Sequence, residues 1–216
     1  MAYRLDEHIL QFPHPSLADE NGLLAVGGLL DPEWLQLAYA WGIFPWDTFN
    51  LDGEELLLWF APAERFVIFP HKVHLSHTLK RLWKRPPYSF RVNTCFRQVM
   101  ENCATVPRPG QESTWIKPQF IDAYTQLHTM GLAHSIEVFD GEELVGGLYG
   151  VQSGRVFCGE SMFSLRPDAS KLALVYLCRN MPFTLVDCQF HTPHLERMGG
   201  ETMPLSEYLV HLQHEH

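Results

Sequence analysis

The chain has 216 residues, of which 46% are hydrophobic and 19% charged, and its formal charge at pH 7 is −9. This composition excludes a disordered chain, and the length fits one large domain or two unequal ones. A membrane-spanning helix and a secretory signal are not expected, because the sequence has no run of about 18 apolar residues and no apolar stretch near its N-terminus.

Turn residues crowd the first sixty positions and enclose one predicted helix and one predicted strand. Asp31 can cap a helix that has a proline at its first position and ends at Gly42. Residues 56–60 form a short apolar run that predicts a strand. We therefore expect a small N-terminal domain over residues 1–62 and a larger domain over residues 63–216.

Positive charge is concentrated in one short part of the chain. Residues 1–64 contain 11 acids and one base, whereas residues 65–100 contain eight bases and no acid. A helix is predicted after Ser76, and four of its cations fall at i, i+1, i+4 and i+5. Like charges on one helix face repel each other unless an anion binds there, so this cationic stripe is predicted to contact phosphate, with a solvated helix face as the alternative. The stripe consists of Lys80, Arg81, Lys84 and Arg85.

Two further helices and a β-meander follow the cationic stripe. Helices are predicted after Asn93 and from Pro118 to Gly131, each with apolar residues at helical spacing. Beyond Gly131 the period changes from 3.6 to 2, and two Gly-containing turns separate three strands that should pair antiparallel. A helix over residues 170–179 and a strand over residues 184–190 complete the pattern.

The pattern predicts an α+β fold: a small N-terminal domain and a larger one whose antiparallel sheet is flanked by helices. The order helix–helix–β–β–β–α–β resembles that of the acetyltransferase superfamily. Acetyltransferases cradle a pyrophosphate on a Gly-rich strand–helix junction, but here the junction at residues 164–170 reads SLRPDAS. Coenzyme A binding by this device is therefore not predicted.

Polar side chains interrupt two of the apolar strands. Glu160 lies in VFCGESMF, on the same predicted face as Cys158 and Met162, and Asp187 and Gln189 share a face of TLVDCQF. Burying a carboxylate is costly unless it is paired or hydrogen-bonded, so such residues cluster at functional sites. Glu160, Asp187 and Gln189 are therefore candidate catalytic residues, and the alternatives are a structural network or positions at the end of the sheet.

Cysteines and histidines give no pattern of a metal site. The five cysteines are odd in number and contain no C-x-x-C pair, which predicts reduced thiols in the cytoplasm. Two sets of histidines repeat every three residues without an evident third ligand, so surface or packing roles are preferred. We expect no bound metal.

A set of short motifs occurs in a fixed order along nearly the whole chain. They are GLLAVGG, AYAWGIFPW, TWI, LVGGLYGV, FCGESMFS, ASKLAL and DCQ. In this order they resemble the leucyl/phenylalanyl-tRNA–protein transferase family, and the succession of GESMFS, ASK and DCQ is the most specific part. The resemblance extends from Phe12 to about Leu209.

This resemblance implies an activity. Members of this bacterial family move Leu or Phe, and less readily Met, from aminoacyl-tRNA to the N-terminal Arg or Lys of a protein, which is then degraded. The resemblance also implies an acetyltransferase-like fold for the larger domain and no cofactor. The expected partners are aminoacyl-tRNA and proteins with N-terminal Arg or Lys, without a membrane, and the expected form is a cytoplasmic monomer.

The resemblance implies roles for individual residues as well. The reaction would take place at Glu160, Asp187 and Gln189. Our hypothesis is that Asp187 orients Gln189 and stabilises charge on the attacking nitrogen, with acceptance of its proton as a further role. The cationic stripe would meet the acceptor-stem phosphates of the tRNA. The residues implied to form an apolar pocket for the transferred side chain are Leu148, Met162, Leu174, Leu177 and Val186. The alternative is that they are ordinary core residues, since each lies on a patterned strand or helix. Those implied to hold the aminoacyl-adenosine are Trp46 and Trp115 of the motifs and the nearby Tyr39 and Tyr124.

Three other functions are compatible with parts of the pattern. A coenzyme-A-dependent acetyltransferase would share the order of elements but needs the missing Gly-rich junction. An aminoacyltransferase acting on cell-wall precursors would share the tRNA donor and the fold but not these motifs. An RNA-binding module would explain the cationic stripe and leave Glu160, Asp187 and Gln189 without a role.

Overall fold

The computed structural model describes residues 2–106 and 115–213, which form two β-sheets and seven α-helices. The helices are α1 (Pro32–Ala40), α2 (His77–Lys84), α3 (Phe96–Thr105), α4 (Pro118–Thr129), α5 (Ala169–Asn180), α6 (Pro193–Arg197) and α7 (Leu205–Gln213). The strands are β1 (Tyr3–Leu5), β2 (Leu23–Gly27), β3 (Phe44–Leu51), β4 (Glu54–Phe60), β5 (Glu64–Ile68), β6 (Ser89–Val92), β7 (Ala133–Asp140), β8 (Glu143–Ser153), β9 (Val156–Ser164), β10 (Leu185–Asp187) and β11 (Glu201–Pro204). None of the described helices has the length and apolar character needed to span a bilayer.

The N-terminal part of the chain forms a four-stranded sheet in the order β1-β2-β4-β3. Helix α1 begins where predicted, because Asp31 Oδ1 accepts a hydrogen bond from the Trp34 amide at 2.9 Å. The hairpin β3–β4 turns at Asp52-Gly53, where both residues have positive φ. Trp59 of β4 is fully buried and packs edge-on against Phe12, so aromatic rings form the core of this small sheet.

The larger sheet has seven strands in the order β11-β5-β10-β9-β8-β7-β6. The predicted meander is present as β7, β8 and β9, which pair antiparallel. β9 and β10 are parallel because α5 connects them as a crossover. The sheet is therefore mixed rather than wholly antiparallel, and the α+β class is confirmed.

Helices cover both faces of the larger sheet. α3 and α4 share one hydrophobic core with α1, α7 and the small sheet, whereas α2 and α5 cover the opposite face. The chain leaves the small sheet at Phe60 and enters the larger one at Glu64. The N-terminal part thus packs directly against the rest of the chain, and the division into two domains after residue 62 stays a prediction.

Candidate active site

A cavity of about 650 Å³ lies where strand β10 of the larger sheet ends before its neighbour β9. β10 ends at Asp187, earlier than the predicted strand over residues 184–190, whereas β9 continues to Ser164. The half of β9 that extends past β10 is paired with β8 alone, and it encloses a space together with the segment after β10 and helix α5. The five residues predicted to form an apolar pocket all line this cavity: Leu148, Met162, Leu174, Leu177 and Val186.

Glu160 enters the cavity from a β-bulge in β9. The register of β8 with β9 shifts between Tyr149 and Gly150, which leaves Glu160 as the extra residue. The bulge interrupts the alternation of side chains, so that Cys158 lies in the core with α3 and Met162 packs on the α5 side. The prediction that these two residues share the face of Glu160 is therefore wrong, because alternation holds only within an unbroken register.

The Glu160 carboxylate faces the cavity on one side and is surrounded by protein atoms on the others. Its Oε1 accepts hydrogen bonds from the Tyr39 hydroxyl at 2.6 Å and from Gln189 Nε2 at 3.3 Å. Removal from water is the largest influence on Glu160 and, with the nearby Asp187 carboxylate, raises its pKa to about 8, while hydrogen bonds from Tyr39 and Tyr124 act in the opposite direction. A carboxyl group with this pKa can exchange a proton near neutral pH.

Asp187 lies behind the cavity and is fully buried. Its carboxylate pairs with Arg65, whose Nε lies 3.2 Å from Oδ1 and whose Nη2 contacts Oδ2. The Tyr208 hydroxyl donates to Oδ2 at 2.9 Å, and the Gln189 backbone amide donates to Oδ1 at 2.9 Å. Because these donors occupy both oxygens, the geometry allows Asp187 to orient Gln189 but does not support the predicted proton transfer to Asp187.

The side chain of Gln189 points into the cavity because the backbone turns at this residue, not because of its position in a strand. It follows the end of β10 and has a φ of +57°, in the left-handed region that residues other than glycine seldom occupy. The hydrogen bond from its own amide to Asp187 stabilises this backbone conformation. Gln189 and Glu160 therefore lie together as predicted. The alternation predicted to place Asp187 and Gln189 on one strand face does not apply, because β10 ends at Asp187.

Trp46 lines the cavity, and the ring of Trp115 stacks on the ring of Trp46. Their ring centroids are 6.4 Å apart, with 15° between the ring planes. Trp46 lies at a second bulge, because the register of β3 with β4 shifts between Pro45 and Asp47. Its ring is 38% exposed and contacts Phe190 edge-on at 4.8 Å, so the cavity has an aromatic surface suited to stacking.

Tyr39 and Tyr124, the other two residues implied at the adenosine, lie in a different place. Both are buried, and their hydroxyls are hydrogen-bonded to each other at 2.5 Å. Tyr39 belongs to α1 and Tyr124 to α4, so the two helices meet directly beside Glu160. Buried rings cannot stack on a base, and these tyrosines instead support the Glu160 carboxylate from behind.

Helix α2 presents the cationic stripe on an exposed face. Ser76 caps the helix as predicted, since its Oγ accepts a hydrogen bond from the Leu79 amide at 3.2 Å, and Leu79 is buried on the α5 side. The four cations of the stripe are exposed and form no ion pair with any residue in the two described ranges. Their positive charge is therefore directed to solvent, outside the cavity.

Neither a metal centre nor a pyrophosphate cradle is evident in the described part of the chain. Among residues 2–106 and 115–213, no group of three or more His, Cys, Asp and Glu side chains is arranged to hold a metal ion. At the N-terminus of α5, Asp168 adopts a left-handed conformation and pairs with Lys171. The Asp168 carboxylate accepts no hydrogen bond from the amides of the helix, and the Ser170 amide donates to Ser164 Oγ at 3.1 Å.

Arg65 and Tyr208 belong to the site but are not identified by the sequence analysis. Arg65 lies in the apolar strand β5 and is buried, and a base in such a strand indicates a buried acidic partner. The same reasoning identified Glu160 and Asp187, so this signal was present in the sequence. Tyr208 gives no such signal, because tyrosine is common in protein cores.

Two family models match the chain. The model described as leucyl/phenylalanyl-tRNA protein transferase matches residues 67–213, and the model of the N-terminal domain of the same family matches residues 28–63. The leucyl/phenylalanyl-tRNA–protein transferase of Anaeromyxobacter sp. (strain Fw109-5) is 48% identical over 215 residues, covering 97% of this chain and 88% of the relative. That of Myxococcus xanthus (strain DK1622) is 47% identical over 207 residues, covering 94% of this chain and 87% of the relative.

Among solved structures, a GCN5-related N-acetyltransferase from Kribbella flavida aligns with a TM-score of 0.38 and 9% identity, over 79% of this chain and 60% of that chain. The two family models, by contrast, cover most of the chain, and the relatives are nearly half identical to it. The chain therefore belongs to the leucyl/phenylalanyl-tRNA protein transferase family of aminoacyltransferases.

Proposed function

We propose that the protein transfers Leu or Phe, and less readily Met, from aminoacyl-tRNA to the α-amine of an N-terminal Arg or Lys. This proposal rests mainly on the pair Glu160 and Gln189 at the edge of an apolar cavity, where Gln189 Nε2 lies 3.3 Å from Glu160 Oε1. A polar pair beside an apolar pocket suits a reaction that joins an amine to the ester of an apolar amino acid. The product would be degraded in the bacterial cytoplasm.

The donor would bind through three surfaces of different chemistry. Its apolar side chain would enter the cavity, where the flexible Met162 can adapt to guests of different shape. The terminal adenosine would stack at Trp46, a contact type that contributes about 1–3 kcal/mol per base. The phosphates of the acceptor stem would meet the cationic stripe of α2, which carries no base-specific information.

In the proposed reaction, the amine nitrogen attacks the ester carbonyl carbon and the bond from that carbon to the ribose oxygen breaks. An α-ammonium group has a pKa of about 7.7–8.0. This matches the pKa of about 8 for Glu160, so the carboxylate can take one proton from the ammonium at little cost. Glu160 later releases this proton to solvent, and a second amine proton leaves with the ribose oxygen as a hydroxyl.

Gln189 would align the amine, and three residues behind it would hold it in place. Its side-chain oxygen can accept a hydrogen bond from the amine, while Nε2 donates to Glu160. Asp187, fixed by Arg65 and Tyr208, stabilises the turn at Gln189. Because the ester is already activated, catalysis in this scheme consists mainly of positioning the two substrates.

Transfer of radiolabelled Leu from Leu-tRNA to a peptide with N-terminal Arg tests the proposal directly. The same peptide with N-terminal Ala is the control, and the assay contains neither ATP nor coenzyme A. Label on the Arg peptide alone would support the proposed donor and the proposed acceptor, and would show that the reaction needs neither ATP nor coenzyme A. Absence of label on both peptides, despite tRNA binding, would contradict the proposal and favour another acceptor or an RNA-binding role.

A further inference from the structure

A polar cluster joins the two segments that carry the stacked tryptophans. Lys117 Nζ contacts both Glu55 Oε1 and Thr48 Oγ1. Gln119 Nε2 donates to Glu55 Oε2 at 2.9 Å, and Thr48 Oγ1 donates to Glu55 Oε1 at 2.7 Å. We call this cluster the clasp; its members are Thr48, Glu55, Lys117 and Gln119.

The clasp lies next to the ring pair along both segments. On β3, Trp46 precedes Thr48 by two residues, and Trp115 precedes Lys117 by the same number. Because Trp46 lies at a bulge, regular strand pairing alone does not fix it. Trp115 also packs edge-on against Phe120 of α4 at 5.3 Å. Gln119 at the start of α4 bonds to Glu55 of β4, so the clasp ties α4 to the hairpin β3–β4.

The position of Glu55 is unusual for a protein that binds a polyanion. A carboxylate near the stacked tryptophans repels a nearby phosphate chain unless a cation neutralises it. Lys117 supplies that cation, and hydrogen bonds from Lys117, Thr48 and Gln119 hold the pKa of Glu55 at about 2. The Glu55 carboxylate is therefore ionised at neutral pH.

We propose that Glu55 and Lys117 are positioning residues for the donor: the clasp holds Trp115 against Trp46 so that the pair is ready to bind the terminal adenosine of aminoacyl-tRNA. This inference rests on the proposed function. The clasp touches no reacting atom, so its loss should weaken donor binding and leave the chemical step unchanged.

The variant Glu55→Gln separates this role from a general electrostatic effect. Removing a negative charge by itself strengthens tRNA binding, whereas opening the clasp weakens it. We expect the KM for Leu-tRNA to rise about five-fold, the upper range for a partly exposed ion pair, with kcat and the peptide KM unchanged. The dissociation constant of 3′-leucylamido-adenosine, a stable probe without the tRNA body, should rise by the same factor.

The matched control is Glu54→Gln. It removes the same charge one residue earlier on β4, from an exposed ion pair with Arg4 at 3.2 Å that is not part of the clasp. Its KM for Leu-tRNA should be unchanged or lower. The double variant Glu55→Lys with Lys117→Glu restores the ion pair with exchanged signs and should recover most of the lost affinity for the adenosine probe.

A dissociation constant for the adenosine probe that is unchanged or lower in Glu55→Gln would overturn the inference, and so would a loss confined to kcat. Failure of the wild type to transfer Leu would overturn the proposed function instead. The measurement with the adenosine probe would still show whether the clasp positions the ring pair.

Discussion

At Glu160, burial and hydrogen bonding act on one carboxylate in opposite directions. Removal from water raises its pKa, and the hydroxyl of Tyr39 partly offsets this effect by donating to the charged form. The balance leaves a pKa of about 8, near that of the amine it would deprotonate. A carboxylate in water would be a much weaker base for this step.

Glu160 should therefore affect the pH dependence of stability. A carboxyl group whose pKa is higher in the folded chain favours folding only while it is protonated, so stability falls as the pH rises from its ordinary value of 4.5 to about 8. Glu160→Gln cannot ionise and should remove a slope of up to about 1.4 kcal/mol per pH unit in this window. Urea unfolding of both proteins at several pH values measures the difference, and parallel stability curves would contradict the pKa assignment.

Glu160 should also limit the rate near neutral pH. For the wild type, kcat/KM is expected to rise up to about pH 8, because Glu160 must lose its own proton before it can accept one from the α-ammonium. Loss of a positioned base typically lowers the rate by about 10²-fold or more, so Glu160→Gln should lower kcat by at least that factor. The pH profile of this variant should report the amine alone, and wild-type turnover by it would rule out a role for Glu160 in proton transfer.

Variants of the buried pair Arg65 and Asp187 should affect stability and activity in different ways. Arg65→Met leaves the Asp187 carboxylate buried without its cation, which should destabilise the fold by about 3–5 kcal/mol. The double variant Arg65→Met/Asp187→Leu removes both charges and should recover much of that stability. It should remain inactive, because the Gln189 amide has lost its acceptor. Unfolding free energies and transfer rates of all variants test this, and recovery of activity in the double variant would contradict it.

Among the secondary-structure elements, those with a regular period could be predicted and those broken by a bulge could not. Helix α2 and the meander β7–β9 follow from apolar spacing and turn residues in the local sequence. The bulges at Glu160 and Trp46 depend on how a neighbouring strand pairs, which no local pattern records. The pocket residues came from the motifs, and the polar site residues came from their position in apolar strands. The buried position of Tyr39 and Tyr124 depends instead on the packing of α1 against α4.

The cationic stripe of α2 should determine the salt dependence of tRNA binding. Each lost phosphate contact reduces the slope of log K against log salt by about one, so Lys80→Gln/Lys84→Gln should reduce it by about two. Lys72→Gln is a suitable control, because that side chain already pairs with Glu201 at 2.9 Å. Filter binding at several salt concentrations measures the slopes. Equal slopes for the wild type and the double variant would show that the stripe does not meet phosphate.

At the scale of the whole molecule, the candidate site is assembled from both sheets. Tyr39 belongs to α1 in the N-terminal part, yet its hydroxyl bonds to Glu160 in the larger sheet. The core on this face likewise combines side chains from α1, the small sheet, α3, α4 and α7. The sequence analysis named Glu160, Asp187 and Gln189 but not Arg65 or Tyr208. The dependence of the site on the N-terminal part follows from tertiary packing that the sequence pattern does not show.

Residues 63–216 alone should therefore not form a stable protein, although the sequence division after residue 62 would allow it. Removing the N-terminal part uncovers apolar residues such as Phe120 and Tyr124 and deprives Glu160 of the Tyr39 hydroxyl. We expect this fragment to aggregate or to unfold without cooperativity, as followed by circular dichroism in urea. A cooperative transition with native-like secondary structure would instead show that the larger domain folds independently.

The contact between Tyr208 and Asp187 also has a consequence for synthesis of the chain. Tyr208 belongs to α7, the last described helix, so the ribosome adds it after every other residue of the site. A nascent or prematurely terminated chain already contains Glu160, Gln189 and the cavity lining but lacks the hydroxyl that completes the Asp187 environment. Because the site is anchored to α7, its assembly can be completed only after α7 has been translated.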